Sequence, residues 1–430
     1  MRHKSKWALA EWLSYLETLH PQSMDLGLER IGEVYKLLGK PRPAEKIISI
    51  AGTNGKGSVC AHIIALAQAS GYSCASHTSP HLLAFNERIQ IGNTPVNDKL
   101  ICQAFIEIEI ARGEISLSYF EFATLAAILI MANTELELAV FEVGLGGRLD
   151  AVNILDADAV VISSIALDHQ QWLGNTRNSI AIEKAGVFRK ADRMKQSLII
   201  GDRDPPAALV QAVQDSSQQA FYLGKDFEWQ ANVSAITVSY AQQQLNLPNS
   251  PLSAPIQNDN LAVAWCALYE LMKTRGLPAK LDRKHLHKLF KNLKLRGRLE
   301  KISSSPDIYV DVAHNLAAAE MLAKWLAMNP IKGKTWAVCA MLADKDHHQV
   351  LAAVDPVVSG WYLAGLTGMR GQSAEALLNS AQAAISKPVR QYDNVQRALD
   401  VASELARAGD RIIVFGSFFA VEQAIRFQNQ

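Results

Sequence analysis

The chain has 430 residues, 49% hydrophobic and 20% charged, with a formal net charge of +1 at pH 7. That length supports two or three domains, each with its own core, and the composition is that of an ordinary globular protein. The near-neutral balance excludes the strong field of a nucleic-acid or membrane-surface binder, and no apolar run approaches membrane-spanning length.

The five cysteines (Cys60, Cys74, Cys102, Cys266 and Cys339) are scattered, with no C-x-x-C pair. They argue against a disulfide framework or a zinc site and fit a reducing cytoplasm. The start, Met1-Arg-His-Lys-Ser-Lys, is basic, but no apolar signal core follows it, so a cytoplasmic protein is expected.

Taken in order, residues 7–19 repeat apolar side chains at helical spacing, and a second helix follows Met24 to Ile31 until Gly39-Lys-Pro41 stops it. Ile47 to Ala51 reads as a buried strand. It breaks into Gly52-Thr53-Asn54-Gly55-Lys56-Gly57-Ser58, and Val59 to Ser70 reads as a helix. Tyr72 to Ser76 reads as a strand ending at Thr78-Ser-Pro-His81. Helical patterns cover 97–112 and 119–133, and strands cover Leu138 to Val143 and Ala157 to Ile165. A helix over Ile180 to Phe188 and a strand over Ser197 to Ile200 come next. Residues 202–256 carry less signal: a Gln/Ser-rich helix, short strands at 229–233 and 236–240, and a proline-rich exit. Asn260 to Thr274 reads as a helix, and the basic stretch 280–298 as a helix and hinge. From 300 on, strands at 307–312, 335–342, 359–364 and 411–415 alternate with helices at 316–328, 373–385 and 395–407. Strands separated by helical runs predict parallel sheets with helices on both faces, so the fold class is α/β in two domains, 1–297 and 298–430.

Strand, glycine-rich turn, helix is the context of a phosphate-binding loop: glycines let backbone N–H groups approach an anion, and Lys56 brings an ammonium to the β/γ-phosphates. The match to G-x-x-x-x-G-K-[ST] is imperfect, since Ile50 stands at its first Gly and Gly57 follows Lys56. The plain alternative is a glycine-rich turn with a surface lysine. In parallel sheets ligands gather at the carboxyl ends of strands. Ser79-Pro80-His81, Glu142, Asp168-His169, Asp311 and His314-Asn315 all follow apolar strands. Glu142 is placed to bind Mg²⁺ beside a triphosphate, against the alternative of an N-cap or ion-pair acid. The glycines of Gly144-Leu-Gly-Gly-Arg-Leu-Asp150 favour the ligand reading, and Arg148 is a candidate anion clamp. Taken alone, His169 reads as structural, Ser79 as a turn residue, Lys184 as a helix-surface lysine and Ser417 as an N-cap.

Together these motifs resemble the folylpolyglutamate synthase family, in its bifunctional bacterial dihydrofolate synthase/folylpolyglutamate synthase form. They are Ala51-Gly-Thr-Asn-Gly-Lys-Gly-Ser58, Ser79-Pro-His-Leu82, Asn86-Glu-Arg-Ile89, Tyr119-Phe-Glu-Phe122, Glu142-Val-Gly-Leu-Gly-Gly-Arg-Leu-Asp150, Asp168-His169, Glu183-Lys-Ala-Gly186, Asp311-Val-Ala-His-Asn315 and Phe415-Gly-Ser-Phe418. The resemblance runs from about residue 12 to 425 and is thinnest at 202–256.

It implies an N-terminal P-loop domain and a C-terminal Rossmann-like domain. It also implies ATP-dependent joining of L-glutamate to dihydropteroate and to reduced folates through an acyl phosphate. Thr53, Asn54, Gly55, Lys56, Gly57 and Ser58 would bind ATP, with Asn260, Arg298 and Asp311 contacting the nucleotide and Asn258 competing with Asn260. Ser79, Glu142, His169 and Lys184, the last as N6-carboxylysine, would hold two Mg²⁺ ions, with K⁺ as a further cation. Met24, Asp25, Leu26, Ser118, Tyr119, Phe120, Glu121, Leu149, Asp150 and Ala151 would line the pteroate site. His314 and Ser417 would serve glutamate, with Lys56, Lys184 and His314 as the catalytic set. The chain departs from the family at Arg296, which replaces a proline, and at Phe419, where relatives often have a polar residue.

Three readings compete. A folylpolyglutamate synthase without dihydrofolate synthase activity shares most of these motifs. A Mur-type amino-acid ligase would need a sugar-nucleotide domain before the phosphate loop, where only about 50 residues stand, too few for a typical domain of 50–200 residues plus its connection. A nucleotide-dependent switch would need an Asn-Lys-x-Asp base-recognition motif, absent here. A monomer is expected, because no exposed apolar helix stands out.

Overall fold

The structure, a computed structural model, describes residues 4–20, 25–232 and 235–428. Two compact units divide the chain. One comprises Met1–Ala166, Gln170–Asn249 and Asn258–Leu293, and the other Leu167–His169, Ser250–Gln257 and Lys294–Gln430.

The first unit is built on an eight-stranded sheet. In chain order its elements are α1 (Leu9–Leu19), α2 (Glu29–Leu37), β1 (Lys46–Ala51), α3 (Lys56–Ala69), β2 (Cys74–His77), β3 (Ile89–Ile91), β4 (Thr94–Pro95), α4 (Asp98–Arg112), α5 (Tyr119–Ala132) and β5 (Leu138–Glu142). Then come β6 (Ala159–Ile162), α6 (Gln170–Leu173), α7 (Arg177–Ala185), β7 (Ser197–Ile200), α8 (Ala207–Ser216) and β8 (Gln219–Tyr222). A three-stranded antiparallel sheet, β9 (Phe227–Ala231), β10 (Ala235–Tyr240) and β11 (Gln243–Pro248), precedes α9 (Gln257–Met272) and α10 (Arg283–Asn292).

The large sheet runs β4-β3-β2-β5-β1-β6-β7-β8 and is parallel except at β3 and β4. Its central strand β1 is apolar on both faces, as a strand covered from both sides must be. Ile48, Ile50, Val140 and Val161 face α3 and α9 in one core. On the other face His77 meets both Phe141 of β5 and Phe120 of α5. After β1 the chain crosses to β2 on one side and later reaches β6 on the other, so β1 lies at a reversal of strand order, where such sheets bind ligands.

The second unit carries β12 (Glu300–Ser304), β13 (Asp307–Asp311), α11 (Leu316–Met328), β14 (Thr335–Cys339), α12 (His347–Val354), β15 (Gly360–Ala364), α13 (Ala374–Ala381), β16 (Val389–Tyr392), α14 (Val395–Leu405), β17 (Arg411–Phe415) and α15 (Phe418–Gln428). Its sheet order is β12-β13-β17-β14-β15-β16, with only β12 antiparallel among the described strands. Phe415, Trp361 and Leu363 meet α11 and α12 in its core.

The expectation of parallel sheets needs correction at the edges: β3, β4 and β12 are antiparallel, and β9–β11 form a separate antiparallel sheet. These are short or polar strands that close by hairpins and leave little periodic signal. A further correction is the start of α3. The sequence reading began it at Val59, whereas it begins at Lys56 behind Gly55, whose φ of +89° makes the turn. Gly57 has poor helix propensity and hid that first turn. Its position there places three loop residues where helix N–H groups lack intrahelical partners.

Candidate active site

The phosphate loop leaves the carboxyl end of β1, and its backbone is pinned from β6. Thr53 N–H donates to Ser164 O at 2.8 Å, Asn54 N–H to Ser164 Oγ at 3.0 Å, and Ser163 Oγ to Asn54 O at 2.7 Å. Lys56 Nζ folds back onto its own loop, 3.1 Å from Gly52 O and 3.4 Å from Thr53 O. A Cβ on Gly55 would stand 2.9 Å from Asn260 Oδ1, so buried Asn260, rather than half-buried Asn258, lies against the loop.

Glu142 closes β5 and is buried, and its Oε2 accepts the Ser79 N–H at 3.1 Å. The same oxygen would lie 3.7 Å from a Cβ on Gly57, so the carboxylate stands beside the first turn of α3. Lys184, read in isolation as a surface lysine, is 4% exposed, and its Nζ donates to Gly52 O at 2.9 Å. The glycine loop explains this burial: a Cβ on Gly147 would meet the carbonyls of Glu183 and Lys184 at 2.9 Å, so only glycine lets α7 approach. Arg148, offered as an anion clamp, is exposed and engaged with Glu183 at 3.0 Å, which ties that loop to α7.

A magnesium ion asks for hard oxygen donors and tolerates few protein ligands when it travels with a nucleotide. Glu142 and Ser79 beside the phosphate loop meet that demand. Among the described residues no group of three His, Cys, Asp or Glu side chains is arranged to hold a metal ion by itself.

Several residues assigned to the pteroate site also hold structure. Ser118 and Glu121 form the capping box of α5, with Ser118 N–H donating to Glu121 Oε2 at 2.7 Å. Arg30 joins Glu121, at 3.2 Å, to Asp25, at 2.6 Å, and His20 Nε2 meets Asp25 at 3.1 Å. Phe120 stacks on His77 and covers Gly144. Asp150 is buried, a burden that pushes its carboxyl up to about 6 although the Leu145 and Val152 N–H groups donate to it. Tyr119, Leu26 and Leu149 are half-buried and Ala151 is buried. Met24 lies outside the described residues.

The second unit gathers another polar group. His314 Nδ1 meets Val312 O at 2.7 Å and its Nε2 meets Asp168 Oδ2 at 3.1 Å. Asp168 also accepts from Lys345 Nζ at 2.6 Å and Asn315 Nδ2 at 3.0 Å. Burial would raise the Asp168 carboxyl, but the His314 hydrogen bond and the charges of His314, His169 and Lys345 hold it well below the ordinary range. Asp311 accepts the Leu299 and Ala313 N–H groups; burial raises it, against the charge of Arg298. Ser417 Oγ donates to Ala340 O and caps α15 through the Ala420 N–H. His169 sits in this unit, in the left-handed region at φ +51°. Lys345 was missed by sequence reasoning. Its only signal is a polar run, Asp344-Lys-Asp346, soon after an apolar strand.

Comparison with known proteins gives this geometry its place. Residues 297–418 match the family model described as Mur ligase, glutamate ligase domain. The dihydrofolate synthase/folylpolyglutamate synthase of Escherichia coli (strain K12) is 39% identical over 413 residues, spanning 96% of this chain and 94% of the relative. The structure of E. coli FolC in complex with DHPP and ADP superposes with a TM-score of 0.90 at 38% identity, covering 99% of this chain and 98% of that one. The Yersinia pestis bifunctional folylpolyglutamate synthase/dihydrofolate synthase complexed with AMPPNP and Mn ion gives 0.89 at 37% identity, with 99% of each chain covered. With identity of that order along nearly its whole length, this chain belongs to the dihydrofolate synthase/folylpolyglutamate synthase family.

Proposed function

We propose that the protein is an ATP-dependent ligase that adds L-glutamate to dihydropteroate, forming dihydrofolate, and to the γ-carboxyl of reduced folates, extending a polyglutamate chain. The observation that carries this reading is the convergence of Lys56, Glu142, Ser79 and buried Lys184 on one glycine loop, in a chain related end to end to such synthases.

A carboxylate does not condense with an amine at neutral pH, because oxide is too poor a leaving group. Transfer of the γ-phosphoryl group forms a carboxyl O–P bond and releases ADP. The glutamate amine then attacks the carbonyl carbon, the C–N bond forms, and phosphate leaves with one former carboxylate oxygen. Lys56 and the loop N–H groups hold the triphosphate and stabilise charge that grows on it. Thr53, Asn54, Gly57 and Ser58 continue that cradle, and Asn260, Arg298 and Asp311 contact the nucleotide.

Ser79, Glu142, His169 and Lys184, carbamylated to an anion, would hold Mg²⁺, which supplies positive charge to offset the triphosphate. Asp25, Leu26, Ser118 to Glu121 and Leu149 to Ala151 line the pteroate site, with Met24 assigned there from the resemblance alone. His314 and Ser417 serve glutamate. K⁺ as an accessory cation, a monomeric state and a cytoplasmic setting complete the proposal; no described helix is long and apolar enough to cross a membrane.

Dihydropteroate carrying ¹⁸O in its carboxylate tests the chemistry. One labelled oxygen should appear in each phosphate released, whereas unlabelled phosphate would contradict an acyl phosphate.

A further inference from the structure

Within Asn86-Glu-Arg-Ile89 three residues have structural tasks. Asn86 Nδ2 donates to Val96 O at 2.7 Å and Asp98 Oδ1 at 2.9 Å. Glu87 gathers the N–H groups of Leu82, Leu83 and Ala84 at 2.7–3.0 Å. Ile89 is fully buried at the start of β3. Arg88 differs: it is 8% exposed, yet no carboxylate pairs with it among the described residues. Its Nε donates to His81 Nδ1 at 2.8 Å, and its guanidinium lies 5.8 Å from the Phe85 ring centroid and 5.5 Å from that of Tyr119. The two terminal nitrogens donate to no described group, and they are not sealed from solvent.

Burying a cation without a counter-ion is costly, and such a group is ordinarily paired. The backbone is fixed as well: Arg88 O accepts from the Thr78 N–H at 2.9 Å and from His77 Nδ1 at 3.1 Å. A guanidinium fork is thus held in place by His81 and against the Phe85 and Tyr119 rings, within reach of the charges of Glu142 and Glu87 but paired with neither. Its free edge, formed by the two terminal nitrogens, matches a planar carboxylate.

We propose that Arg88 is a catalytic residue whose terminal nitrogens bind the substrate carboxylate that is phosphorylated. It keeps hold of the acyl oxygens until the glutamate amine forms the C–N bond and phosphate departs. This rests on the ligase reading, in which an anionic carboxylate must come up to an anionic triphosphate beside the negative Glu142. Arg88 is a fixed cation that offsets that repulsion at the acceptor, as Lys56 does at the donor.

The test is binding of pteroate and of pteroate carboxamide to the full-length enzyme with ADP, in wild type, Arg88→Gln and Arg88→Lys. Wild type should favour the acid by about tenfold or more, as expected for two charge-assisted hydrogen bonds. Arg88→Gln should bind acid and amide alike, with Arg88→Lys between, while ADP affinity stays within about twofold of wild type. A role confined to packing would leave the acid-to-amide ratio unchanged, and that result in either variant overturns the proposal. Wild type that binds neither pteroate nor its amide overturns the ligase reading and Arg88's role together. Wild-type preference for the acid that survives in Arg88→Gln overturns Arg88's role alone.

Discussion

At Gly55 the backbone enters the left-handed region at φ +89°, and the Cα faces the Asn260 amide. Alanine there would be strained twice, by φ and by a Cβ contact of 2.9 Å. Gly55→Ala should therefore cost about 1–3 kcal/mol of stability and raise KM for ATP about tenfold or more, because the loop that carries Lys56 must shift. Wild-type ATP kinetics in the variant would show that the loop is not the nucleotide site. Lys184→Ala should lower kcat by about a hundredfold or more, a loss of the size seen when one charge-stabilising group is removed. Added acetate or formate should restore part of it, by returning a carboxylate to the cavity; turnover near normal without rescue would remove the carbamate from the account. The glycines and Lys56 were legible in the sequence because their chemistry is local. The burial of Lys184 was not, since it depends on Gly147 and Gly186, which let α7 and the loop after β5 touch across 35 or more residues of chain.

At the scale of elements, α3 and β2 each bury a neutral histidine. Burial pushes both His62 and His77 down to about 3 from an ordinary 6.5. A histidine with a depressed folded pKa contributes stability that is present above the unfolded pKa and lost as pH falls from about 6.5 toward 3. Each costs about 1.4 kcal/mol per pH unit in that window. Asp150, pushed up to about 6, works in the opposite sense: protonating it stabilises the fold as pH falls from 6 toward 3.8. His81, pushed down to about 4 by burial and the charge of Arg88, adds to the loss. Urea unfolding should thus show stability falling steeply just below pH 6.5 and less steeply below pH 6, where Asp150 takes up its proton. In His62→Leu the first slope should be shallower by about 1.4 kcal/mol per pH unit. Stability constant from pH 6.5 to 4.5 would contradict the burial of both imidazoles. The elements easiest to read were those with a sustained apolar pattern, such as α4, α5 and β1. Missed were β3 and β4, only three and two residues long, the short strands β8, β11 and β16, and β12, whose Glu300-Lys-Ile-Ser-Ser304 alternates too weakly to signal a face.

For the whole molecule, the division into an N-terminal sheet with a phosphate loop and a C-terminal α/β sheet follows from where strands and helices alternate. The polar cluster of the second unit was only half legible. His314 stood out at a strand end, but its partner Asp168 lies 146 residues away in sequence, and Lys345, which also donates to Asp168, lies 177 residues from it. No local pattern reports such a meeting. The pteroate residues lie at the edge of legibility for a different reason, since Ser118 and Glu121 satisfy a helix cap that any α5 would need. The most direct measurement is phosphate release from ATP and L-glutamate in two parallel reactions, one with dihydropteroate and one with a reduced folate monoglutamate. The account predicts turnover in both, with dihydrofolate as the first product and a diglutamate as the second. Release with neither acid would contradict it, and release with the folate alone would take dihydropteroate out of the site proposed at Asp25, Ser118 and Asp150.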